Sequence, residues 1–362
     1  EGVTMQKVRY AVVGAGWISQ EAFLPSIHAT PNSEVAAIVS GSREAAGTLA
    51  TFHGIPHVFG YDEYDRMLAD DIVDAVYVAL PNSLHADYAI RAAKAGKHAL
   101  VEKPLAVSVE ECEAMIRAAE ENGTLLMTAY RLHTEPGTVK VLDLIRAGEI
   151  GEPKIFSSTF SFQSPETNHR LLAEHWGGPL QDIGVYCLNA ARHCLGGEPT
   201  EVHAMKVHGN GDLRFREVEG SLAATMRFPK DRLAQFVISF EGEESDTYRI
   251  IGTEGVITVE HGYKFEFNPR IRLSQGDEQK EFEAPDCDHF AGQAAYFSDC
   301  ILTGARPVPD GEEGLADVRA LLAIEAAAKT GQVQQIETPE RGRHPDQDCV
   351  RILPRTDRRL VL

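Results

Sequence analysis

The apolar run Val8–Val13 (VRYAVV) stops at Gly14-Ala15-Gly16-Trp17-Ile18-Ser19, and an amphipathic segment begins straight after it. A strand, a glycine turn and a helix in that order confine the first part of the chain to an α/β layer. Gly14 permits the tight turn, and Gly16 lets backbone N–H groups approach a pyrophosphate at the helix N-terminus. Ser19 stands where a third Gly or Ala is usual, which weakens the fingerprint although Ser is small enough for close helix packing. A glycine turn in an α/β domain that binds no nucleotide is the competing reading.

The alternation then repeats. Glu34–Val39, Ala75–Ala79, His98–Val101 and Leu125–Thr128 read as strands. Arg43–Phe52, Ser83–Ala95 with Ser83 as cap, Ser108–Glu121 with Ser108 and Glu111 in capping-box register, and Glu135–Ala147 read as helices. Near-continuous apolar strands separated by helices predict a parallel sheet covered on both faces, with ligands beyond the carboxyl ends of its strands. Gly14–Ile18, Ser40–Arg43, Leu80–Asn82, Glu102–Lys103 and Tyr130–His133 should therefore converge on one crevice. Past Gly151 the texture changes to alternating strands: Lys154–Phe162, Glu201–Val207, Glu217–Phe228, Leu233–Phe240, Asp246–Ile251, Val256–Glu260, Tyr263–Phe267 and Glu281–Glu283. Two helices follow, Phe290–Thr303 and Glu312–Thr330. The expected fold class is α/β: an N-terminal Rossmann domain over 7–130, a C-terminal α+β domain with a large, mostly antiparallel open sheet over 131–336, and a tail over 337–362. The open face of that sheet is a candidate surface for a homodimer or homotetramer.

A chain of 362 residues is long enough for two cores, since one core stops growing at about 250–300 residues. A net charge of −19 argues against nucleic acid and anionic membrane as partners, because phosphate binding needs a basic surface. The start, Glu1-Gly-Val-Thr-Met5, has no apolar signal core and looks like a cloning remnant ahead of a native Met5. The six cysteines form no C-x-x-C, and the 14 histidines form no H-x-x-E-H; their one H-x-x-x-H, His53 to His57, holds Gly54 and Pro56 and so cannot sit on one helix face. Core thiols in a reducing, cytoplasmic setting and no bound metal are the expectation.

Asp182, Tyr186, Asn189 and His193 fall at i, i+4, i+7 and i+11, and so share one face of a helix whose adjacent face carries Ile183, Cys187, Ala190, Ala191 and Cys194. The polar face turns either to a ligand or to solvent. Taken with Leu80-Pro-Asn82-Ser-Leu-His85, Glu102-Lys103-Pro104, Tyr130-Arg131-Leu-His133 and Gly177-Gly-Pro-Leu-Gln-Asp182-Ile-Gly-Val-Tyr186, the glycine turn makes a set that resembles the Gfo/Idh/MocA oxidoreductase family, and within it the glucose-fructose oxidoreductase-like members. The likeness runs from about residue 7 to 335.

The resemblance implies an enzyme that transfers hydride between a nicotinamide and a sugar or polyol, with Lys103 catalytic, Tyr186 as acid/base and Asp182 beside them. Many members have His where this chain has Tyr186. A tyrosine of ordinary pKa about 10 becomes a workable acid or base when a nearby ammonium stabilises its phenolate, and Lys103 is placed to supply that charge. The cofactor contacts implied are Gly14, Gly16, Trp17, Ile18, Ser40, Ser42, Arg43, Leu80, Asn82, His85, Glu102, Lys103 and Arg131. Those to the substrate are Lys103, Tyr130, Trp176, Asp182 and Tyr186. An NAD site usually places an acid at the end of strand two. Ser40-Gly41-Ser42-Arg43 has none and offers a guanidinium, so NADP is favoured over NAD. The family's periplasmic member wraps its partner with an N-terminal arm, whereas this chain begins almost at strand one. Two other activities stay open: reduction of a non-sugar carbonyl or oxidation of a dihydrodiol, and non-catalytic NADP-binding regulation.

Overall fold

The computed structural model describes residues 6–362, so the remnant reading of Glu1–Met5 lies outside the described residues. Six strands, β1 (Val8–Val13), β2 (Ser33–Val39), β3 (His57–Phe59), β4 (Ala75–Val78), β5 (His98–Val101) and β6 (Leu126–Thr128), form a parallel sheet in the order β3-β2-β1-β4-β5-β6. Every residue of β4 is buried, as an apolar run covered on both faces requires. The helices on its two sides are α1 (Leu24–Ile27), α2 (Arg43–His53), α3 (Tyr64–Ala69), α4 (His85–Lys94) and α5 (Val109–Glu121). Ser42 and Ser108 cap α2 and α5 by accepting from Ala45 N and Glu111 N. The strand order reverses at β1/β4, which opens a crevice at their carboxyl ends.

The chain then passes through α6 (Pro136–Arg146) into β7 (Pro153–Gln163), α7 (Val185–Leu195), β8 (Glu201–Val207), β9 (Ser221–Phe228), β10 (Arg232–Ser239), β11 (Glu241–Gly252), β12 (Val256–Glu260), β13 (Arg270–Gln275) and β14 (Glu278–Glu283). After α8 (His289–Thr303) and α9 (Gly311–Thr330), the short β15 (Gln334–Gln335) completes a nine-stranded sheet ordered β14-β13-β12-β11-β7-β10-β9-β8-β15. Only the β7–β10 pair is parallel among the described strands of this sheet. Alternation sorts its two faces. Phe156, Phe160, Leu222, Met226, Phe236 and Ile238 point inwards to the core shared with α7 and α9, each contributing about 1.5–3 kcal/mol by burial. Ile155, Met205, Val207, Leu233 and Val237 are left on the exposed side.

Three local expectations change. Tyr263–Phe267 is not a strand: Tyr263 is buried by stacking against Tyr248 and Phe160, and the next strand is β13, paired with β12. Ser83 caps nothing, because its hydroxyl bonds His175 Nδ1 at 2.9 Å and α4 follows a 3-10 turn over Asn82–Leu84. β3, α3, β13 and the two-residue β15 are absent from the sequence reading.

The tail runs back across the molecule. Arg341 pairs with Asp310 and Glu313, Arg351 with Asp299 and Arg355 with Asp286. Arg358 donates to Phe52 O, Arg359 pairs with Glu21, and Leu362 N donates to Gln20 Oε1. The last residues thus rest on the helical segment that follows the glycine turn.

Candidate active site

Gly14 lies at φ 98°, and a Cβ there would come 2.5 Å from Ala79 O just past β4, so the turn after β1 admits only glycine. Ser19, in place of the third glycine, is fully buried and donates to Gly14 O at 2.6 Å, which fastens the turn from below. A Cβ on Gly16 would meet nothing within 4 Å, leaving the loop open on its outer side. Trp17 is half exposed with its ring 6.2 Å from Phe265. Ser40 is buried at the end of β2, and Arg43 pairs with Glu63, whose carboxylate also accepts from Gly60 N. No acid stands at the end of β2, and the loops after β1 and β2 form a cradle with an open side and a surface guanidinium. These residues fit a dinucleotide carrying a 2′-phosphate.

Across the crevice, Lys103 sits just past β5. Its Nζ donates to Asp182 O at 2.7 Å and to Asp182 Oδ1 at 3.2 Å, and lies 4.8 Å from the centre of the Tyr186 ring. Lys103 therefore faces the ring of Tyr186 rather than its hydroxyl. Burial alone would depress the Lys103 ammonium, yet Tyr186, Asp182 and Glu102 together hold it above its ordinary value. Burial likewise pushes the Asp182 carboxyl up, but Arg170, 3.0 Å away, and Lys103 outweigh it and leave the group below its usual range. Glu102 accepts from the buried Tyr77 hydroxyl at 2.7 Å. Arg131 Nη2 donates to the Tyr186 hydroxyl at 3.3 Å. The polar tip of Tyr186 thus meets a guanidinium and its face meets an ammonium.

Asn82 Nδ2 donates to Trp176 O at 3.1 Å, and Trp176 Nε1 donates to Glu325 Oε1 at 3.1 Å. Trp176 so joins the loop after β4 to the helix α9, with its own backbone in the left-handed region. Leu80, at the end of β4, is buried.

Three expectations are corrected by burial. His85 is 1 % exposed with its ring nitrogens 2.8 Å from Leu80 O and 2.9 Å from Pro104 O; it ties two strand-end loops together from inside and presents nothing to a cofactor. Tyr130 is 2 % exposed, and its hydroxyl donates to Asp317, so it supports the site from the core and cannot reach a substrate. The polar face that runs from the π-helical turn Leu180–Gly184 into α7 is split. Asp182 and Tyr186 reach the crevice, but Asn189 and His193 are turned onto α9, bonding Glu313 and Asp317. Neither a ligand nor solvent takes that half of the face. Arg192 lies in the same network, 2 % exposed, bound to Glu198, Glu313 and Asp317. His133, His193 and Glu313 bring possible metal-ligating atoms within 4.8 Å of one another, but Glu313 is already engaged by Arg192, His193 and Arg341.

Arg170, Tyr263 and His289 belong to the site and are missing from the sequence reading. Arg170 comes from the irregular stretch before α7, where no period places a side chain. Tyr263 O and His289 Nδ1 accept from Arg131 across a long sequence separation.

A doubly wound sheet with a glycine-turn crevice and a part-buried lysine, carboxylate and tyrosine defines a nicotinamide-dependent oxidoreductase class of architecture. Residues 8–130 match the model of an oxidoreductase family with an NAD-binding Rossmann fold, and residues 138–258 match the GFO/IDH/MocA C-terminal domain. The chain belongs to the Gfo/Idh/MocA oxidoreductase family. It is 31 % identical over 342 residues to D-xylose 1-dehydrogenase [NADP(+)] of Haloarcula marismortui, covering 92 % of this chain and 94 % of that one. Among solved structures it resembles an aldose-aldose oxidoreductase from Caulobacter crescentus complexed with glycerol (TM-score 0.87, 34 % identity, 91 % of this chain and 100 % of that one). It also resembles a 3-ketoreductase from Actinomadura kijaniata in complex with NADP and TDP-benzene (TM-score 0.82, 30 % identity, 89 % of this chain and 98 % of that one).

Proposed function

We propose that this protein is an NADP-dependent oxidoreductase acting on a CH–OH or carbonyl carbon of a sugar or polyol. The observation that carries the reading is the meeting of Lys103, just past β5 of the Rossmann sheet, with Asp182 and Tyr186 of the second domain. NADP(H), when bound, takes up or supplies the hydride at its nicotinamide ring. Residues 7–130 hold the dinucleotide, with Gly14, Gly16, Trp17 and Ile18 at the pyrophosphate and Ser40, Ser42 and Arg43 at the 2′-phosphate. Residues 131–336 supply the substrate side.

In the oxidative direction Tyr186, as phenolate, would accept the substrate hydroxyl proton on its oxygen, and in reduction its phenol would return that proton. Lys103 and Asp182, already bonded to each other, bind sugar hydroxyls beside the reacting carbon. The xylose dehydrogenase and aldose-aldose oxidoreductase relatives support a sugar over a non-sugar carbonyl. The outer face of the nine-stranded sheet, with Ile155, Leu233 and Val237 exposed, supports a homodimer or homotetramer.

The test is to release and identify any nucleotide bound to the purified protein, then follow formation and loss of reduced nicotinamide against panels of aldoses, polyols, diketones and dihydrodiols. Turnover of aldoses or polyols with NADP is expected. Nucleotide binding without turnover on any panel would replace this reading with that of a regulator.

A further inference from the structure

Arg131 is 5 % exposed and forms no ion pair with any carboxylate among the described residues. Its donors go to Tyr263 O, to His289 Nδ1 at 3.2 Å and to the Tyr186 hydroxyl at 3.3 Å. Its guanidinium carbon lies 5.2 Å from the centre of the Tyr186 ring, 5.4 Å from that of Phe265 and 5.8 Å from that of Phe290. A buried charge surrounded by a carbonyl, an imidazole and aromatic rings is costly unless an anion forms against it.

Among the described residues no carboxylate hydrogen-bonds Arg131, although its charge acts on the nearby Glu135 carboxyl. His289 is no counter-ion, since burial, with Arg131 next in importance, holds its imidazole well below the ordinary value and therefore neutral. Glu135, four residues along the chain, spends its oxygens on Gly137 N, Thr138 N and Thr138 Oγ1 at the start of α6. Asp182 is committed to Lys103 and Arg170, and Glu102 to Tyr77. Lys103 in turn gives donors to Asp182 and lies over the Tyr186 ring, so its charge is shared with a carboxylate and does not reach the phenolic oxygen by a hydrogen bond. The acidic group that touches Arg131 is Tyr186.

We infer that Arg131 is a positioning residue that orients the Tyr186 hydroxyl and stabilises its phenolate, a role distinct from cofactor contact. The inference rests on the reading of Tyr186 as acid/base. Arg131 exchanges no proton itself. It holds the phenolic oxygen by a charge-assisted donor, so that Tyr186 can accept the substrate proton in oxidation and return it in reduction.

The experiment uses the full chain with Arg131→Leu, Arg131→Lys and Tyr186→Phe, and follows the oxidative kcat against pH together with NADP(H) binding by titration. In the unmodified protein the rate rises through an ionisation that Tyr186→Phe abolishes. Arg131→Leu is expected to lower the oxidative kcat and to move that limb towards alkali, the direction that loss of an opposite charge at close range gives. Arg131→Lys should recover part of the shift, and NADP(H) affinity should hold in both variants. If Arg131→Leu does not fold, Arg131→Lys carries the test, with phenolate ultraviolet absorbance measured against Tyr186→Phe as a second readout. A limb lost in Tyr186→Phe but unmoved in the Arg131 variants overturns this inference alone, as does a fall in NADP(H) affinity with the limb in place. A limb that survives Tyr186→Phe overturns the acid/base reading and this inference with it.

Discussion

Tyr186 meets one cation at its hydroxyl and another at its ring face, and in the proposed reaction its oxygen gives and takes the proton. Replacing it by Phe removes that oxygen and leaves the ring that packs against Phe160 and Tyr263. Tyr186→Phe should therefore lower kcat by about 10²–10⁴, the usual worth of acid/base catalysis, with NADP affinity nearly unchanged. Steady-state kinetics beside a cofactor titration checks both halves; retained turnover would send the proton role elsewhere, with Asp182 next in line. Cofactor choice also turns on single residues. Ser40, Ser42 and Arg43 offer donors where an NAD site would carry an acid, and Arg43 is held ready by Glu63. Arg43→Ala should narrow the preference for NADP over NAD by about 1.5–3 kcal/mol, the range for hydrogen bonds to charged groups. Equal or tighter binding of NAD by the unmodified protein would defeat that expectation.

At the scale of elements, α7 shows what a period can and cannot tell. Spacing places Asp182, Tyr186, Asn189 and His193 on one face, yet what covers that face is decided by α9, more than a hundred residues away. Glu313 and Asp317, one turn apart on α9, are a local signal that such a partner exists, though nothing in their spacing says which helix they meet. His85 and Tyr130 lie in motifs that line the crevice but point inwards, because a motif fixes chain position and not side-chain direction. Strands and helices with long, clean patterns were legible; β3, α3 and the turn holding Arg170 were not, since they are too short or too irregular for periodicity to act. The buried network between α7 and α9 has consequences of its own. Arg192→Met would leave Glu313 and Asp317 without their shared cation in the core, at a cost of about 3–5 kcal/mol, seen as a lower denaturant midpoint with unchanged slope. Stability should also follow pH. Burial takes His193 from 6.5 to about 3 and His53 to about 4, so their contributions are present above about 6.5 and fade as pH falls towards those values. Asp317, raised by burial from 3.8 to about 6, works the other way, contributing below about 4 and losing that contribution as pH rises through 6. Glu313, held well below its usual range by Arg192 and His193 against burial, and the buried His85, His133 and His289, also held low by burial, work in the same direction as His193 and His53. A lower denaturant midpoint is therefore expected at pH ~4 than at pH ~7, with a smaller difference in His193→Gln. A midpoint that rises on acidification would show Asp317 dominating.

The whole molecule presents an imbalance between the two faces of its large sheet. The inner face is covered by α7 and α9, while the outer face shows Ile155, Leu233 and Val237 on neighbouring strands of one patch, with Met205 and Val207 further along. β7, β10, β9 and β8 lie side by side, so these residues form one surface rather than scattered exposures, and small residues such as Ala223 and Ser157 between them let a second sheet approach closely. A partly apolar sheet face of this kind would be met most simply by a second copy related by a two-fold axis. The proposed site lies on the other side of the sheet, toward α7, which separates assembly from chemistry. Val237→Glu, placed in the middle of β10, would put a carboxylate into the dry centre of that contact, where an unpaired charge costs several kcal/mol. Light scattering at micromolar concentration should give at least a dimer for the unmodified protein and a monomer for Val237→Glu, with the variant keeping its NADP affinity. A monomeric unmodified protein would refute the assembly, and an undisturbed oligomer in Val237→Glu would move the interface to another face of the molecule.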